Sequence, residues 1–231
     1  MKNLLFTLFL LFSMTTMAQK DVTKFLGIPV DGTKNAMIQK LKEKGFKYNQ
    51  TLDQLTGEFN GSKVNLSIVT NNNKVYRIAV QDATPSSETD IKIRFNTLCY
   101  QFAKNEKYTS ANSTGYTLSE SENISYEMTV NKKRYEAVYF QVPDPALMDT
   151  LAIQQKAKAI LLKSFTQEQL DNPTEQQKEQ IQKLLQDEGT RIFVDLLAKK
   201  SVWFMIDEKY GNYRILLFYD NEYNHADGED L

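Results

Sequence analysis

The stretch that decides the fold spans residues 201–219 and reads SVWFMIDEKYGNYRILLFY. It predicts two strands, 201–207 and 212–219, joined by a turn that contains Gly211. Both alternating faces of each strand carry apolar residues, whereas a half-buried strand alternates apolar with polar. Strands that are apolar on both faces are usually central and covered on both sides. We therefore expect this hairpin to lie inside a sheet and not at its edge.

The preceding chain predicts further strands and several amphipathic helices. Alternation of apolar residues predicts one hairpin over 62–70 and 74–81, with a marginal strand at 54–60, and a second hairpin over 124–130 and 134–142. Apolar residues at helical spacing predict helices over 34–44, 86–105, 148–164 and 174–199, with a short helical turn at 166–172. The fold class is α+β, with one or more antiparallel sheets built from hairpins and packed against amphipathic helices.

Composition places the chain among ordinary globular proteins. It has 231 residues, a formal net charge of −1, 41% hydrophobic and 25% charged residues. These values exclude disordered, collagen-like and disulfide-scaffold classes. The near-zero charge argues against a nucleic-acid binder, which normally has a basic patch or a high pI.

The single cysteine and the single histidine exclude several chemistries. Cys99 alone cannot form an intramolecular disulfide or a cysteine-based zinc site. It falls on the apolar stripe of helix 86–105, so we interpret it as a small buried hydrophobic residue, the alternative being a nucleophile. His225 alone removes most histidine-based metal and triad chemistry, and we expect it to be exposed.

Residues 1–18 have the pattern of a secretory signal peptide. Lys2 gives a positive start, residues 4–12 are mostly apolar, and Thr16-Met17-Ala18 supplies small residues before a cleavage point. We expect cleavage near Ala18 and export to the periplasm or the extracellular space; the alternative is an anchored N-terminal helix. No second apolar stretch approaches the roughly 20 residues that span a bilayer, so no membrane span is expected in the mature chain.

The polar stretch 105–119 is the best candidate boundary within the mature chain. It separates an N-terminal α-β-β-β-α module, residues 19–110, from a C-terminal part, residues 111–231, with a hairpin, helices and the final hairpin. We expect these two parts to form one continuous or tightly abutting unit, because the link is short and the final hairpin is covered on both faces.

Two motifs carry a resemblance to a known group of proteins. The first is Phe25-x-Gly27-Ile28-Pro29-x-Asp31-Gly32-Thr33, followed by Leu41 and Lys44-Gly45-Phe46, and the second is Tyr219-Asp220-Asn221-x-Tyr223-Asn224-x-Ala226-x-Gly228-Glu229-Asp230-Leu231. Both resemble uncharacterised exported proteins of Gram-negative gut anaerobes. Residues 25–105 are more distantly similar to envelope α/β modules of the BamE and β-lactamase-inhibitor-protein type. The chain departs from those families in lacking a lipid-attachment cysteine and disulfides.

The resemblance implies a sheet packed under helices and, by analogy, work done through protein contact. It assigns no catalytic residue. The acids at 220, 222, 227, 229 and 230 suggest a cation site, but the glycine and bidentate glutamate of a calcium loop are absent. We interpret residues 220–231 as a solvated acidic tail, and we expect no metal and no cofactor.

Three aromatic residues are the candidate partner- or ligand-binding residues: Tyr135, Tyr139 and Trp203. Tyr135 and Tyr139 share the face of strand 134–142 opposite Val138 and Phe140, and we interpret them as an outward aromatic strip suited to protein or glycan contact. The alternative is that helix 174–199 covers this strip.

The leading functional hypothesis is an exported, non-enzymatic protein that binds a protein or peptide partner in the cell envelope. An alternative is a small-ligand or glycan-binding protein, with a pocket lined by tyrosines and Trp203. A hydrolase is third, because 29 acidic residues allow many carboxylate pairs and none is singled out. The sequence fixes neither the partner nor the oligomeric state.

Overall fold

A computed structural model describes residues 20–225. The predicted signal peptide and tail residues 226–231 lie outside the described residues. The protein combines helices with a large antiparallel sheet, which confirms the α+β class.

The strands have the following bounds: β1 (Lys24–Phe25), β2 (Ile28–Pro29), β3 (Lys47–Asn49), β4 (Gln54–Phe59), β5 (Ser62–Asn71), β6 (Lys74–Asp82), β7 (Tyr108–Ser110), β8 (Glu136–Gln141), β9 (Ser201–Lys209) and β10 (Asn212–Asp220). The first two form a small hairpin. The other eight form one antiparallel sheet in the order β3-β4-β5-β6-β10-β9-β8-β7. The final hairpin is therefore central, as its apolar faces predicted. The expectation that both of its faces are covered is wrong for one face, where Trp203, Met205, Leu216 and Phe218 are partly exposed.

The helices have the following bounds: α1 (Lys34–Glu43), α2 (Glu88–Lys104), α3 (Ile124–Thr129), α4 (Thr150–Ser164), α5 (Gln167–Asp171) and α6 (Glu175–Ala198). A 3-10 turn at Pro145–Leu147 precedes α4. The long helices agree with the predicted ones. Helix α2 begins at Glu88, two residues after the predicted start, and is capped by Ser87, whose side chain accepts from the Asp90 amide.

The hydrophobic core lies between one face of the sheet and helices α1 and α2. Successive cross-strand neighbours form a buried row: Leu55, Leu66, Val80, Leu217, Phe204 and Ala137. Met37 and Leu41 of α1 and Phe95 of α2 belong to the same buried cluster. Cys99 is buried in it too, so the structure confirms its reading as a core residue.

The predicted hairpin over 124–130 and 134–142 is wrong in its first strand. Residues Ile124–Thr129 form α3, capped by Asn123, whose side chain accepts from the Tyr126 amide. Ile124 is fully buried. Glu127 and Met128 follow three and four positions later, on the same side of a helix as Ile124. The segment therefore fits the spacing of a helix as well as it fits the alternation of a strand. Strand β8 pairs instead with β9 and with β7, a short strand inside the predicted loop 105–119.

The chain divides into two compact units, but not at residue 110. The sheet unit comprises Val22–Pro143 and the chain from Asp187 onward, so its sheet draws strands from both sides of the expected boundary. The second unit is the helical insertion, Asp144–Gln186, together with Asp21. It lies in the connection between β8 and β9, which are hydrogen-bonded neighbours.

Candidate functional site

The face of the sheet opposite α1 and α2 carries a partly exposed apolar patch. Cross-strand register places Val138, Trp203 and Phe218 side by side on β8, β9 and β10. We call the following residues the sheet-face patch: Val138, Phe140, Trp203, Met205, Leu216 and Phe218. On β6 and β5 the same row continues with Ala79 and Ser67, so the large apolar side chains of this row lie on β8–β10.

A fixed cluster of aromatic and charged groups lies at one end of this patch. The rings of Trp203 and Phe218 stack with centroids 4.3 Å apart. The Arg77 guanidinium lies 4.9 Å from the Phe218 centroid and 5.6 Å from that of Trp203. Arg77 Nε and Nη2 donate to the two carboxylate oxygens of Asp220 at 2.6 and 2.7 Å. Trp203 Nε1 donates to Asp220 Oδ2 at 2.9 Å.

Asp220 is the residue that orders this cluster. Its side chain is only 3% exposed, and both oxygens accept charge-assisted or indole hydrogen bonds. Its carboxylate also raises the pKa of Arg77 above the ordinary value, mainly through the hydrogen bonds. The aromatic pair is therefore held in one arrangement, and tryptophan and arginine are among the residue types enriched where protein interfaces are strongest.

Tyr135 and Tyr139 do not form an outward strip; that prediction is wrong. They are 4% and 2% exposed, on the face of β8 that α2 covers. The Tyr139 ring stacks on Phe102 of α2 at 4.8 Å, and its hydroxyl donates to the Cys99 carbonyl. Val138 and Phe140 occupy the outward face instead, beside Trp203, the one predicted site residue that is partly exposed.

The Tyr135 hydroxyl takes part in a small polar cluster at the edge of the core. It donates to Glu122 Oε1, which also accepts from Lys133 Nζ at 2.6 Å. Both hydrogen bonds lower the pKa of Glu122, and the one from Lys133 has the larger effect. Burial and the Glu122 contact raise the pKa of Tyr135 well above its usual range, so its hydroxyl stays a hydrogen-bond donor and not a base.

The cavity beside α2 has little free polarity to offer a ligand. It has a volume of ≈ 580 Å³ and is lined by residues of α2 and of the 118–120 loop. Asn96 donates to the Leu118 carbonyl at 2.8 Å and accepts from the Leu118 amide at 2.7 Å. Lys92 Nζ donates to the carbonyls of Glu120 and Glu122. These polar groups hold the loop to the helix and are therefore already engaged.

The three buried carboxylates of the sheet unit have structural partners: Asp82, Asp220 and Glu188, the last of which accepts from Arg191 Nε and Nη2. Asp82 accepts from Arg94 Nε and Nη2, both at 2.7 Å, in the same bidentate manner as Asp220 with Arg77. A carboxylate whose two oxygens are both engaged is poorly placed for acid–base work. Within residues 20–225, acidic, histidine and cysteine side chains do not gather in threes around any position that could hold a metal ion.

The two sequence motifs of the chain ends meet in space. Asn221 Nδ2 donates to the Val30 carbonyl at 2.7 Å, and Asn224 Nδ2 donates to Asp31 Oδ1 at 2.7 Å. The Thr23 hydroxyl donates to the Asp220 carbonyl. We call these contacts the terminal clasp. The interpretation of residues 220–231 as a solvated tail is therefore wrong for residues 220–224, which are built into the fold and of which Asp220 and Asn221 are buried, while His225 is exposed as expected.

The helical insertion presents a second surface. None of residues 144–186 is buried, and Leu151, Leu162 and Leu185 are 64%, 45% and 40% exposed. Among the described residues, no helix combines the length and the apolarity needed to cross a bilayer.

Comparison with protein-family models, curated proteins and solved structures finds no match to this chain.

Proposed function

We propose that the protein is exported and acts without catalysis, by binding a protein or peptide partner in the cell envelope through the sheet-face patch. The observation that carries the proposal is the ordered Trp203–Phe218–Arg77 cluster on a partly exposed apolar face. Tryptophan and arginine are enriched among the residues that contribute most to protein interfaces. Export rests on the signal-peptide pattern of residues 1–18.

A polypeptide partner fits this face of the sheet better than a sugar ring does. Phe218 already stacks on Trp203, and Arg77 lies beside both rings. A glycan that stacked on Trp203 would have to compete with these neighbours, whereas a polypeptide can cover the neighbouring Phe140, Met205 and Leu216 without moving them. Complete burial of an exposed side chain of this kind contributes roughly 1.5–3 kcal/mol, and these partly buried side chains contribute less each.

Capture from envelope extract tests the proposal. Tagged full-length protein is expected to recover a partner, and Phe140→Ser or Leu216→Ser is expected to reduce its recovery at least about tenfold, because each removes apolar contact from the patch. The matched control is Ile93→Ser, which removes a 61% exposed apolar residue from α2. Thermal unfolding of each variant verifies that it is folded.

Absence of any partner across growth conditions would contradict the proposal. So would a partner that is lost equally with Ile93→Ser, since the contact would then lie elsewhere. Recovery of an oligosaccharide without a polypeptide would favour the glycan-binding alternative.

A further inference from the structure

Within residues 20–225, Arg214 is the one arginine that has no carboxylate partner. The other four arginines each form an ion pair with an acidic side chain: Arg77 with Asp220, Arg94 with Asp82, Arg134 with Glu136 and Arg191 with Glu188. The Nε atom of Arg214 is buried and, in the same described residues, has no hydrogen-bond partner. A buried N–H group without an acceptor has lost its hydration without compensation, so an acceptor from outside would satisfy it.

Two cross-strand arginine–aspartate neighbours on β10 show what differs at Arg214. Asp220 lies directly opposite Arg77 of β6, and the two side chains form the bidentate ion pair described above. Arg214 lies directly opposite Asp207 of β9, but among the described residues neither a hydrogen bond nor an ion pair joins these two side chains. The guanidinium fork of Arg214 is therefore left for a carboxylate that comes from another molecule.

Arg214 lies at the end of the sheet-face patch that is opposite Arg77. It is partly exposed, and alternation along β10 places it on the same face as Leu216 and Phe218. Leu216 in turn lies opposite Met205 of β9, another residue of the patch. Since a strand rises about 3.3 Å per residue, Arg214 is about 7 Å from Leu216 and about 13 Å from Phe218 along β10. A molecule bound to Arg214 therefore also meets the apolar patch.

We propose that Arg214 binds the carboxylate of an aspartate or glutamate side chain in the polypeptide that covers the sheet-face patch. The partner segment then carries an acidic residue with apolar residues within about four positions of it, because about 13 Å of extended chain spans the distance from Arg214 to Phe218. This inference rests on the function proposed above and specifies the chemical class of its partner.

The charges around Arg214 leave one positive charge uncompensated at this end of the sheet. Arg134 and Glu136 neutralise each other, with Arg134 Nη2 3.0 Å from Glu136 Oε2. Asp207 and Lys209 alternate onto the outward face of β9 and add one charge of each sign. The remaining charge is that of Arg214, which favours an acidic residue over a neutral or basic one at this position.

A single unpaired arginine fits one carboxylate better than it fits an anionic membrane surface. Recognition of anionic lipids typically uses clusters of about four to eight lysines and arginines. The planar guanidinium fork instead matches a carboxylate, with two parallel N–H···O bonds. Asp220 and Asp82 each accept such a pair of bonds from an arginine Nε and Nη2 in this protein.

The test selects binders from a phage-displayed library of random peptides, about twelve residues long, on protein purified after expression of the full chain. We expect the enriched peptides to carry an acidic residue close to apolar residues. Fluorescence anisotropy then measures the binding of labelled synthetic copies. Arg214→Gln should bind them at least about tenfold more weakly, and Arg214→Lys should fall between, because lysine keeps the charge without the fork. Lys63→Gln, the same charge change on an exposed lysine of β5, should have no effect.

Two further substitutions separate a direct contact from a general charge effect. Replacing the acidic residue of the peptide by its amide should weaken binding to the unmodified protein as much as Arg214→Gln does, and should have no further effect on that variant. Asp207→Asn should strengthen binding about threefold, because it removes the negative charge that lies opposite Arg214.

Four results would overturn the proposal: no enriched peptide; enriched peptides without acidic residues, or bound equally by Arg214→Gln; sedimentation with phosphatidylglycerol vesicles, lost in Arg214→Gln, without peptide binding; and a dimer that Arg214→Gln abolishes. Thermal unfolding verifies that the variants are folded, and Arg214→Gln should unfold at the temperature of the unmodified protein, because the arginine side chain has no hydrogen-bond partner to lose among the described residues.

Leu216→Ser distinguishes failure of this inference from failure of the proposed function. Peptides that lose affinity for Leu216→Ser but not for Arg214→Gln would support binding at the sheet-face patch and contradict the carboxylate site. Peptides whose affinity changes with neither variant would contradict both, since they would bind elsewhere on the protein.

Discussion

The sheet unit and the helical insertion are stabilised in different ways. In the sheet unit, side chains such as Phe204 are fully buried, and the carboxylate of Asp220 is nearly so. In the insertion no residue is buried, and the ion pair between Glu175 and Lys178 is exposed. The sheet unit therefore has a buried core of its own, whereas no residue of the insertion is buried.

The helices of the insertion depend instead on local signals. Asp149 caps α4 by accepting from the Ala152 amide, and Thr166 and Gln169 form a capping box on α5. Thr174 and Gln177 exchange the same two bonds at the start of α6. Caps of this kind contribute about 1 kcal/mol each, far less than a buried aromatic side chain.

The largest expected effect comes from Phe204→Ala. The Phe204 ring contacts the rings of Phe95, Phe102 and Tyr139, so truncation leaves a cavity and should lower the free energy of unfolding by about 3–5 kcal/mol. Leu162→Ala in the insertion should change it by less than about 1 kcal/mol. Urea unfolding followed by the fluorescence of the single tryptophan measures both. Equal decreases in the free energy of unfolding for Phe204→Ala and Leu162→Ala would contradict the difference in burial between the two units.

Asp220→Ala is expected to cost about 2–3 kcal/mol. The substitution leaves Arg77 without its carboxylate partner and Trp203 Nε1 without its hydrogen-bond acceptor. The expected loss of stability is below that for breaking a fully buried ion pair, because the Arg77 side chain is 26% exposed. The matched change in the insertion, Glu175→Ala, should cost at most about 0.5 kcal/mol, since both partners are exposed. The same urea experiment compares them, and a cost of Asp220→Ala below 1 kcal/mol would contradict the ordering role of this carboxylate.

Local sequence signals predicted the elements whose ends are capped and whose apolar spacing is regular. These include α1 after Thr33 and the β5–β6 hairpin around Asn72 and Asn73, both of which have positive φ. Strand β7 was missed because it has only three residues and depends on pairing with β8, far along the chain. Alternation in residues 124–130 matched a strand, but packing of Ile124 selected a helix.

The candidate site was predictable only in part. Strand β8 is apolar on both faces, so alternation could not say whether Tyr139 or Phe140 faces the helices, and the wrong face was chosen. Trp203, chosen as a candidate binding residue, lies partly exposed on the outward face of the sheet; a binding role for it stays a prediction. Arg77 and Asp220 were missed because they are 143 positions apart and become neighbours only when β6 pairs with β10.

Thiol reactivity gives a sharper comparison of the two units. Burial raises the pKa of Cys99 to about 11, so at pH 8.5 its reactive thiolate fraction is roughly a hundredfold below that of an exposed cysteine, whose pKa is about 8.5. We expect native Cys99 to resist iodoacetamide, while Leu162→Cys in a Cys99→Ala background reacts at the rate of a free thiol. Full reactivity of both in urea is the control. Comparable rates in the native protein would contradict burial of Cys99.

Removal of the insertion should have the smallest effect on the sheet. The Gln141 amide donates to the Lys200 carbonyl at 2.9 Å, so β8 and β9 are paired independently of the insertion. Residues 187–198 of α6 would remain in the shortened chain, and they extend about 18 Å from Lys200. A Gly-Ser linker of about twelve residues spans such a distance.

Replacing residues 144–186 by this linker should change the free energy of unfolding, followed by Trp203 fluorescence, by less than about 1 kcal/mol, because none of the removed residues is itself buried. The same linker in place of residues 122–134 should destabilise the sheet, because it removes the fully buried Ile124 and the contact of Glu122 with Tyr135. If the protein without its insertion lost the cooperative transition, the insertion would be part of the folding unit. If the transition survived unchanged, the two units would be separable in stability.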